Sequence, residues 1–338
     1  MKIIVDAFGG DNAPKAVIEG SAMAVLKYAV EIVLVGNEDI IKNTAKENNI
    51  SLNGMTIVNT DSVMSMEDDP GMIIKEKRDS SMGLGLSMLA KDEGDAFVTA
   101  GSTGALVFGA STIVKRIKGI KRASLAAIIP CEGKNGYYIL LDSGANVDCR
   151  PQMLQQFAVM GSIYMQNIMK IDNPRVCLLN NGAEETKGRD LEHETYSLLK
   201  NNTPINFTGN IEARQVPLGD ADVVITDGFT GNILLKTTEG MGKFIALNLN
   251  SIFKASFLTK MGAVFTMKGI KSLKKKMDYS ETGGAPLLGT KKPVIKAHGS
   301  SNAKAFMNAI RQAKDFAENR VIDQINESLS QIVGEKDE

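Results

Sequence analysis

The sequence predicts an α/β protein with a mainly parallel β-sheet covered by helices on both faces. Three observations predict it. Short apolar, β-branched runs recur along the chain, as in strands buried on both sides. Each run breaks into a cluster of Gly, Asp, Asn or Ser, and helix-period patterns lie between the runs. Ligands in such sheets bind outside the carboxyl ends of the strands, where these clusters lie, so several loops are expected to converge on one crevice.

The stretch Ala221-Asp-Val-Val-Ile-Thr-Asp-Gly-Phe-Thr-Gly-Asn232 shows the device most clearly. Residues 223–226 read as a buried strand, Asp227-Gly228 and Gly231-Asn232 break it, and a helix is expected from Ile233. A turn of this kind leaves backbone N–H groups at a helix N-terminus, which can hold anions and polarised carbonyls. Glycine is also what any tight strand-to-helix turn requires.

From the start of the chain, residues 3–5 form a strand leading into Asp6-Ala-Phe-Gly-Gly-Asp-Asn-Ala-Pro14, and 16–28 a helix. Strands at 31–35 and 55–59 follow. Asp68-Asp-Pro-Gly71 is a turn before a Met- and Leu-rich helix ending near residue 91, with Met82 and Met88 expected in the core. Strand 95–100 runs into Gly101-Ser-Thr-Gly104, which opens a helix. Segments 124–129 and 137–141 read as adjacent strands around the turn Glu132-Gly-Lys-Asn-Gly136, the second ending in Asp142-Ser-Gly-Ala-Asn146. Strand 175–179 precedes Asn180-Asn-Gly-Ala-Glu-Glu-Thr-Lys-Gly188, and 205–207 leads into Thr208-Gly-Asn-Ile-Glu212. Residues 293–295 precede His298-Gly-Ser-Ser301, then one long helix to about residue 333 and a charged tail. With no Pro/Ser-rich linker and no internal repeat, one domain over 1–338 with an insertion is expected.

Composition removes several classes. The chain of 338 residues is long enough for a full core, and its 39 basic and 39 acidic residues cancel. Zero net charge and no Trp argue against nucleic acid as a partner. The first residues run straight into a strand, so no signal peptide is expected, and no run approaches the roughly 20 apolar residues of a membrane span. Cys131, Cys149 and Cys177 are few, odd in number and far apart, which fits reduced cytosolic thiols. His193 and His298 alone cannot build a multi-histidine metal site. The first strand lacks G-x-G-x-x-G and no Walker lysine appears, so nucleotide binding has no sequence support.

Three residues carry two readings each. Lys187, in a loop past a buried strand, either supplies positive charge to an anion or oxyanion or pairs with Glu184 or Glu185. Asn232 either donates its amide to a carbonyl oxygen or caps the helix beginning at Ile233. His298 is a binding residue or a loop histidine beside a Ser N-cap. Separately, Ala100-Gly-Ser-Thr-Gly104 is similar to a nucleophile elbow, and Ser102, Asp227 and His298 stand in the order of a serine hydrolase or thioesterase triad.

Taken as an ordered set, Asp6-x-x-Gly-Gly-Asp-x-x-Pro14, Gly101-x-Thr-Gly104, Asp142-x-Gly-Ala-Asn146, the 182–188 loop, Asp227-Gly-Phe-x-Gly-Asn232 and His298-Gly-Ser300 resemble one family. It is the bacterial phosphate acyltransferase of phospholipid synthesis, which converts acyl-acyl carrier protein and inorganic phosphate into acyl phosphate. Departures are Phe8 for a common Met, Ser102 for a frequent Asn, and Arg189 after the lysine–glycine pair. A position that accepts Asn cannot be a required nucleophile. The resemblance implies a three-layer α/β/α fold, Rossmann-like and related to phosphotransacetylases and the isopropylmalate dehydrogenase group. It also implies a cytoplasmic homodimer with no metal or organic cofactor, its product passing to a membrane glycerol-3-phosphate acyltransferase. Lys187, Asn232 and Asp227 are thereby assigned to catalysis. Substrate binding falls to Asp6, Gly9, Gly10, Asp11, Gly101, Ser102, Thr103, Gly104, Asp142, Gly144, Asn146, Gly182, Gly228, Gly231, His298, Gly299 and Ser300.

The stretch 241–277 holds Lys243, Lys254, Lys260, Lys268, Lys271, Lys274, Lys275 and Lys276 with no acidic residue. Between them Ile252, Phe253, Phe257, Leu258, Met261, Val264, Phe265, Ile270 and Leu273 recur at roughly helical spacing, interrupted at Gly262 and Gly269. A basic amphipathic hairpin over 248–277 suits an anionic membrane surface, so peripheral membrane association is expected. A core or dimer helix pair, or a docking surface for acidic acyl carrier protein, are the alternatives.

Overall fold

A computed structural model of the protein describes residues 1–201, 203–276 and 281–334, with side chains over 1–201, 203–270 and 281–329. Met277, where the expected hairpin ends, and the charged tail beyond residue 334 lie outside the described residues. Among the described residues twelve strands form two sheets. The first has the order β3 (Met55–Asn59), β2 (Glu31–Gly36), β1 (Lys2–Asp6), β4 (Ala96–Thr99), β12 (Val294–Ala297), β11 (Gly284–Leu288), β5 (Ser124–Leu125). The second runs β6 (Ala127–Pro130), β7 (Tyr137–Leu141), β10 (Val223–Ile225), β8 (Val176–Asn180), β9 (Phe207–Glu212). Pairing is parallel except where β11 meets β12 and β5, and where β6 meets β7. The single residue between β5 and β6 joins the sheets, for the Ala126 N–H donates to Pro286 O of β11 at 3.0 Å.

The period of two along each strand sorts side chains to the two faces. On β1, Ile3 and Val5 enter one core with residues of α1 (Lys15–Tyr28) and α9 (Ala303–Glu318). Ile4 points to the other, with Met82 and Leu86 of α3 (Ser81–Ala90). In the second sheet, Ile139, Leu178 and Val223 pack on α5 (Pro151–Asn167), while Tyr138, Cys177 and Val224 form a third core that Leu234 and Leu235 partly cover. Both faces of both sheets are therefore buried. Met82 and Met88 are core residues as expected.

Several elements depart from the sequence expectation: the one strand read at 124–129 is split into β5 and β6, which belong to different sheets, and β11 was not foreseen. The stretch 208–212 is not a loop but most of β9, where Gly209 takes φ +104° beside a register irregularity at Val176/Cys177. The long closing helix is two, α9 and α10 (Val321–Gly334), parted where Arg320 adopts φ +52°. Helix α7 (Gly228–Lys254) begins five residues before Ile233, so the Gly228–Asn232 stretch is its first turn and not a loop. Its cap is Asp227, whose Oδ1 accepts the Thr230 N–H at 2.7 Å, and Asn232 caps nothing. Helix α8 (Phe257–Lys276) packs on α7 and leaves Phe257, Leu258 and Phe265 at 76%, 78% and 83% exposure.

Candidate active site

Three loops at the carboxyl ends of β1, β4 and β12 are tied together. The buried Asp6 carboxylate accepts the Thr99 hydroxyl at 2.6 Å and the Phe8 N–H at 3.2 Å. Thr99 Oγ1 accepts the Gly101 N–H at 2.9 Å. The Asp11 N–H donates to Gly299 O at 2.8 Å, and the Asn12 amide donates to the Ser300 and Ser301 carbonyls. Glycine is demanded where these loops touch: a Cβ on Gly9 would lie 2.6 Å from both Asp6 Oδ2 and Gly101 N. His298 Nδ1 accepts the Ser300 N–H at 3.2 Å and shares a hydrogen bond with its hydroxyl at 2.9 Å, while Nε2 stands 3.9 Å from Glu239 of α7. Burial holds its imidazole below the ordinary value, against the pull of Glu239, so it is neutral at pH 7.

A second group lies at the ends of β7, β8 and β10. Asp142 is fully buried and its carboxylate organises the 142–146 loop. Oδ1 accepts from the Leu125 and Ala145 N–H groups; Oδ2 accepts from the Asn146 N–H and side-chain amide. Burial nevertheless raises its pKa. Helix α7 starts directly on this loop: the Gly228 N–H donates to Asn146 O at 2.7 Å, and a Cβ on Gly231 would collide with Asp142 O. Arg189 spans from the preceding loop, with Nη2 2.7 Å from Asp227 Oδ2 and 2.5 Å from Glu192 Oε1. Those two carboxylates hold its guanidinium above its usual value.

Between the 101–104 and 142–146 loops lies a cavity of about 240 Å³, which Lys187, Asn232, Asp227 and His298 do not line. Thr103 and Gly104 line it from the first sheet, Gly144, Ala145 and Asn146 from the second; Pro70, Val107 and Phe108 give an apolar wall, and Arg122 is its cation. The Asn232 amide sits beside Gly144, whose missing Cβ would lie 2.8 Å from Asn232 Nδ2. Lys187 is exposed and its stem packs on Gly182. Among the described residues Lys187 forms no ion pair; Glu185 binds Lys200 instead at 2.9 Å. The Ala145 and Asn146 N–H groups and the Asn146 amide are already taken by Asp142 and by Ala123 O, so the Asn232 amide beside Gly144 is the donor that can turn to a polarised carbonyl, and Arg122 can face an anion.

Two expectations change. The α7 N-terminus offers little to an anion, because the Gly228, Thr230 and Gly231 N–H groups already donate to Asn146 O, Asp227 Oδ1 and Asp227 O. Nor do Ser102, Asp227 and His298 make a triad. Ser102 caps α4 (Thr103–Gly109), Asp227 binds Arg189 and Thr230, and His298 faces Ser300 and Glu239. Sequence reasoning missed Lys296, Arg122, Thr99 and the Arg189–Asp227 pair. Lys296, next to last in β12, is buried with Nζ donating to Ala100 O at 3.1 Å and Ala297 O at 2.6 Å.

This architecture is similar to that of solved phosphotransacylases. A phosphotransacetylase from Streptococcus pyogenes is similar over 96% of this chain and 94% of its own, with a TM-score of 0.63 at 17% identity, a likeness of fold. Residues 1–324 match the family described as "Fatty acid synthesis protein". The chain is 48% identical over 332 residues to the phosphate acyltransferase of Thermoanaerobacterium thermosaccharolyticum, covering 98% of each. It is 44% identical over 332 residues to that of Alkaliphilus oremlandii, again over 98% of each. It belongs to the bacterial phosphate acyltransferase family and is an acyltransferase.

Proposed function

We propose that this enzyme transfers a long-chain acyl group from acyl-acyl carrier protein to inorganic phosphate, giving acyl phosphate for phospholipid synthesis. The observation that carries it is the cavity where Gly104, Gly144 and Asn146 meet Arg122 and an apolar wall, in a chain belonging to this family. A phosphate oxygen attacks the thioester carbon, the carbonyl oxygen takes the negative charge, and the C–S bond then breaks. Phosphate is itself the nucleophile, so the protein supplies positioning and electrostatic stabilisation. The leaving thiol has an ordinary pKa of about 8.5 and needs modest acid help.

In this scheme the Asn232 amide donates to the thioester carbonyl and Lys187 stabilises the phosphate or oxyanion. Asp227 sets the first turn of α7, and with it Asn232, through its cap and its pair with Arg189. Hydroxylamine should trap an acyl hydroxamate only when phosphate is supplied; thioester loss at the same rate without phosphate would make the enzyme a hydrolase.

The exposed apolar residues of α7 and α8 support reversible binding to an anionic membrane surface from the cytoplasm. Among the described residues no helix is long and apolar enough to cross a membrane. Release there would hand a reactive acyl anhydride to a membrane glycerol-3-phosphate acyltransferase. A homodimer is part of the same proposal.

A further inference from the structure

Among the described residues Lys296 is the only buried lysine, and nothing in the reaction above uses it. Burying an ammonium is unfavourable unless its protons find acceptors and its charge finds a partner. Both are met here by particular groups. Its Nζ donates to Ala100 O and Ala297 O, and the charges facing it are Asp6 on β1, Asp11 in the next loop and Lys236 on α7, with His298 two residues on.

Ala100 O and the Gly101 N–H belong to one peptide unit. Lys296 holds its carbonyl; Thr99 Oγ1 holds its N–H, and the Thr99 hydroxyl in turn donates to Asp6. That peptide plane cannot rotate without breaking a bond on each side. Gly101 has no slack either, since a Cβ there would lie 2.7 Å from Met82 Cε. The peptide leads directly into Ser102, Thr103 and Gly104, and the last two line the cavity.

We propose that Lys296 is a positioning residue for acyl transfer. With Asp6 and Thr99 it clamps the Ala100–Gly101 peptide and so fixes the 101–104 wall of the cavity. It acts through that wall and touches no substrate. The proposal rests on the reaction given above.

Burial lowers the Lys296 ammonium to about 8, with Asp6 and Asp11 opposing the shift. In the unfolded chain it keeps its proton to about 10.5. Between these values the unfolded chain binds more protons, so the folded state gains stability as pH rises through that window. Over the same window the clamp loses its charge-assisted bonds, which are about twice as strong as neutral ones. Turnover should fall while stability rises, a divergence that a purely structural lysine does not produce.

The test compares wild type, Lys296→Met and Thr99→Val by steady-state kinetics across pH, thermal melting, and amide hydrogen exchange at Gly101. Lys296→Met should keep its KM values within a few-fold and lose kcat on the order of 100-fold, as expected for a slightly misplaced site. Its Gly101 amide should exchange faster, and the descending limb near pH 8 expected of wild type should be absent. Thr99→Val should lose turnover but keep the limb. Wild-type kcat and Gly101 exchange in Lys296→Met, or survival of its alkaline limb, overturns the proposal. Should that variant not fold, Thr99→Val at wild-type turnover, or a wild-type profile with no alkaline descent, overturns it equally. A wild-type enzyme without phosphate-dependent turnover would refute the reaction instead, while the Gly101 exchange comparison, which needs no substrate, would still test the clamp.

Discussion

Arg189 and Asp227 fasten the loop after β8 to the start of α7, with Nη2 2.7 Å from Oδ2 although the residues are 38 apart in sequence. Lys187 lies two residues before the first partner and Asn232 five after the second, so one contact ties the two proposed catalytic side chains to a common frame. The Arg189 side chain is 62% exposed, but its partners Asp227 and Glu192 are buried, their side chains 4% and 10% exposed. Arg189→Ala leaves both carboxylates without their cation and should lower stability by about 1–3 kcal/mol, read as a drop in melting temperature. Turnover should drop at least tenfold if the frame matters. Equal turnover would show that the loop holds its place without the pair.

Lys187→Ala and Asn232→Ala should each reduce kcat on the order of 100- to 1000-fold in a folded protein, the usual effect of removing a preorganised donor. Ser102→Ala should behave in the opposite manner. Its hydroxyl accepts the Ala105 N–H, so losing that cap should cost about 1 kcal/mol of stability with turnover largely kept. Abolished activity in Ser102→Ala would restore the serine nucleophile.

Two glycines of α7 should respond with opposite signs. A methyl group at Gly231 runs into Asp142 O, so Gly231→Ala must push the helix off the 142–146 loop; we expect a loss of about 1–3 kcal/mol together with turnover. Gly240, on the same helix, has open space around it, and Gly240→Ala should gain up to about 1 kcal/mol through helix propensity. Chemical denaturation of both variants is the measurement. A neutral Gly231→Ala would mean that the helix and loop can part freely.

Replacing Phe257, Leu258 and Phe265 by polar residues should abolish flotation with anionic vesicles and leave activity on soluble substrates intact. Unfolding or loss of an oligomer would instead make the stretch structural. Normal flotation with a raised KM for the carrier protein would make it a docking surface.

Period and turn chemistry made most strands legible, because runs such as 3–5 and 223–226 are apolar on both faces and end in residues that only turns tolerate. The same rule misled at Gly209, where glycine serves an irregular strand, and at Gly228 and Gly231, where it permits close approach of helix to loop and not a break. Of the candidate site, the loops were legible but their ties were not. Lys296 follows the apolar run at 293–295 and reads as the solvated end of a strand. Only its neighbours on β1 and β4, about two hundred residues away for Ala100, place it in the interior. Arg122 was opaque in the same way, since a cation's function depends on what the fold sets opposite it.

Helix α7 is also a ruler. Its 27 residues at 1.5 Å each span about 40 Å, with Asn232 near one end and the exposed phenylalanine and leucine of α8 just past the other. A lipid acyl chain reaches about half of a bilayer's roughly 30 Å hydrocarbon core. An acyl group held at the first turn is thus too short to touch lipid at the far tip. If α7 stood upright on the membrane, the product would have to cross open water; direct delivery requires the helix to lie along the surface, bringing the cavity mouth down to the headgroups.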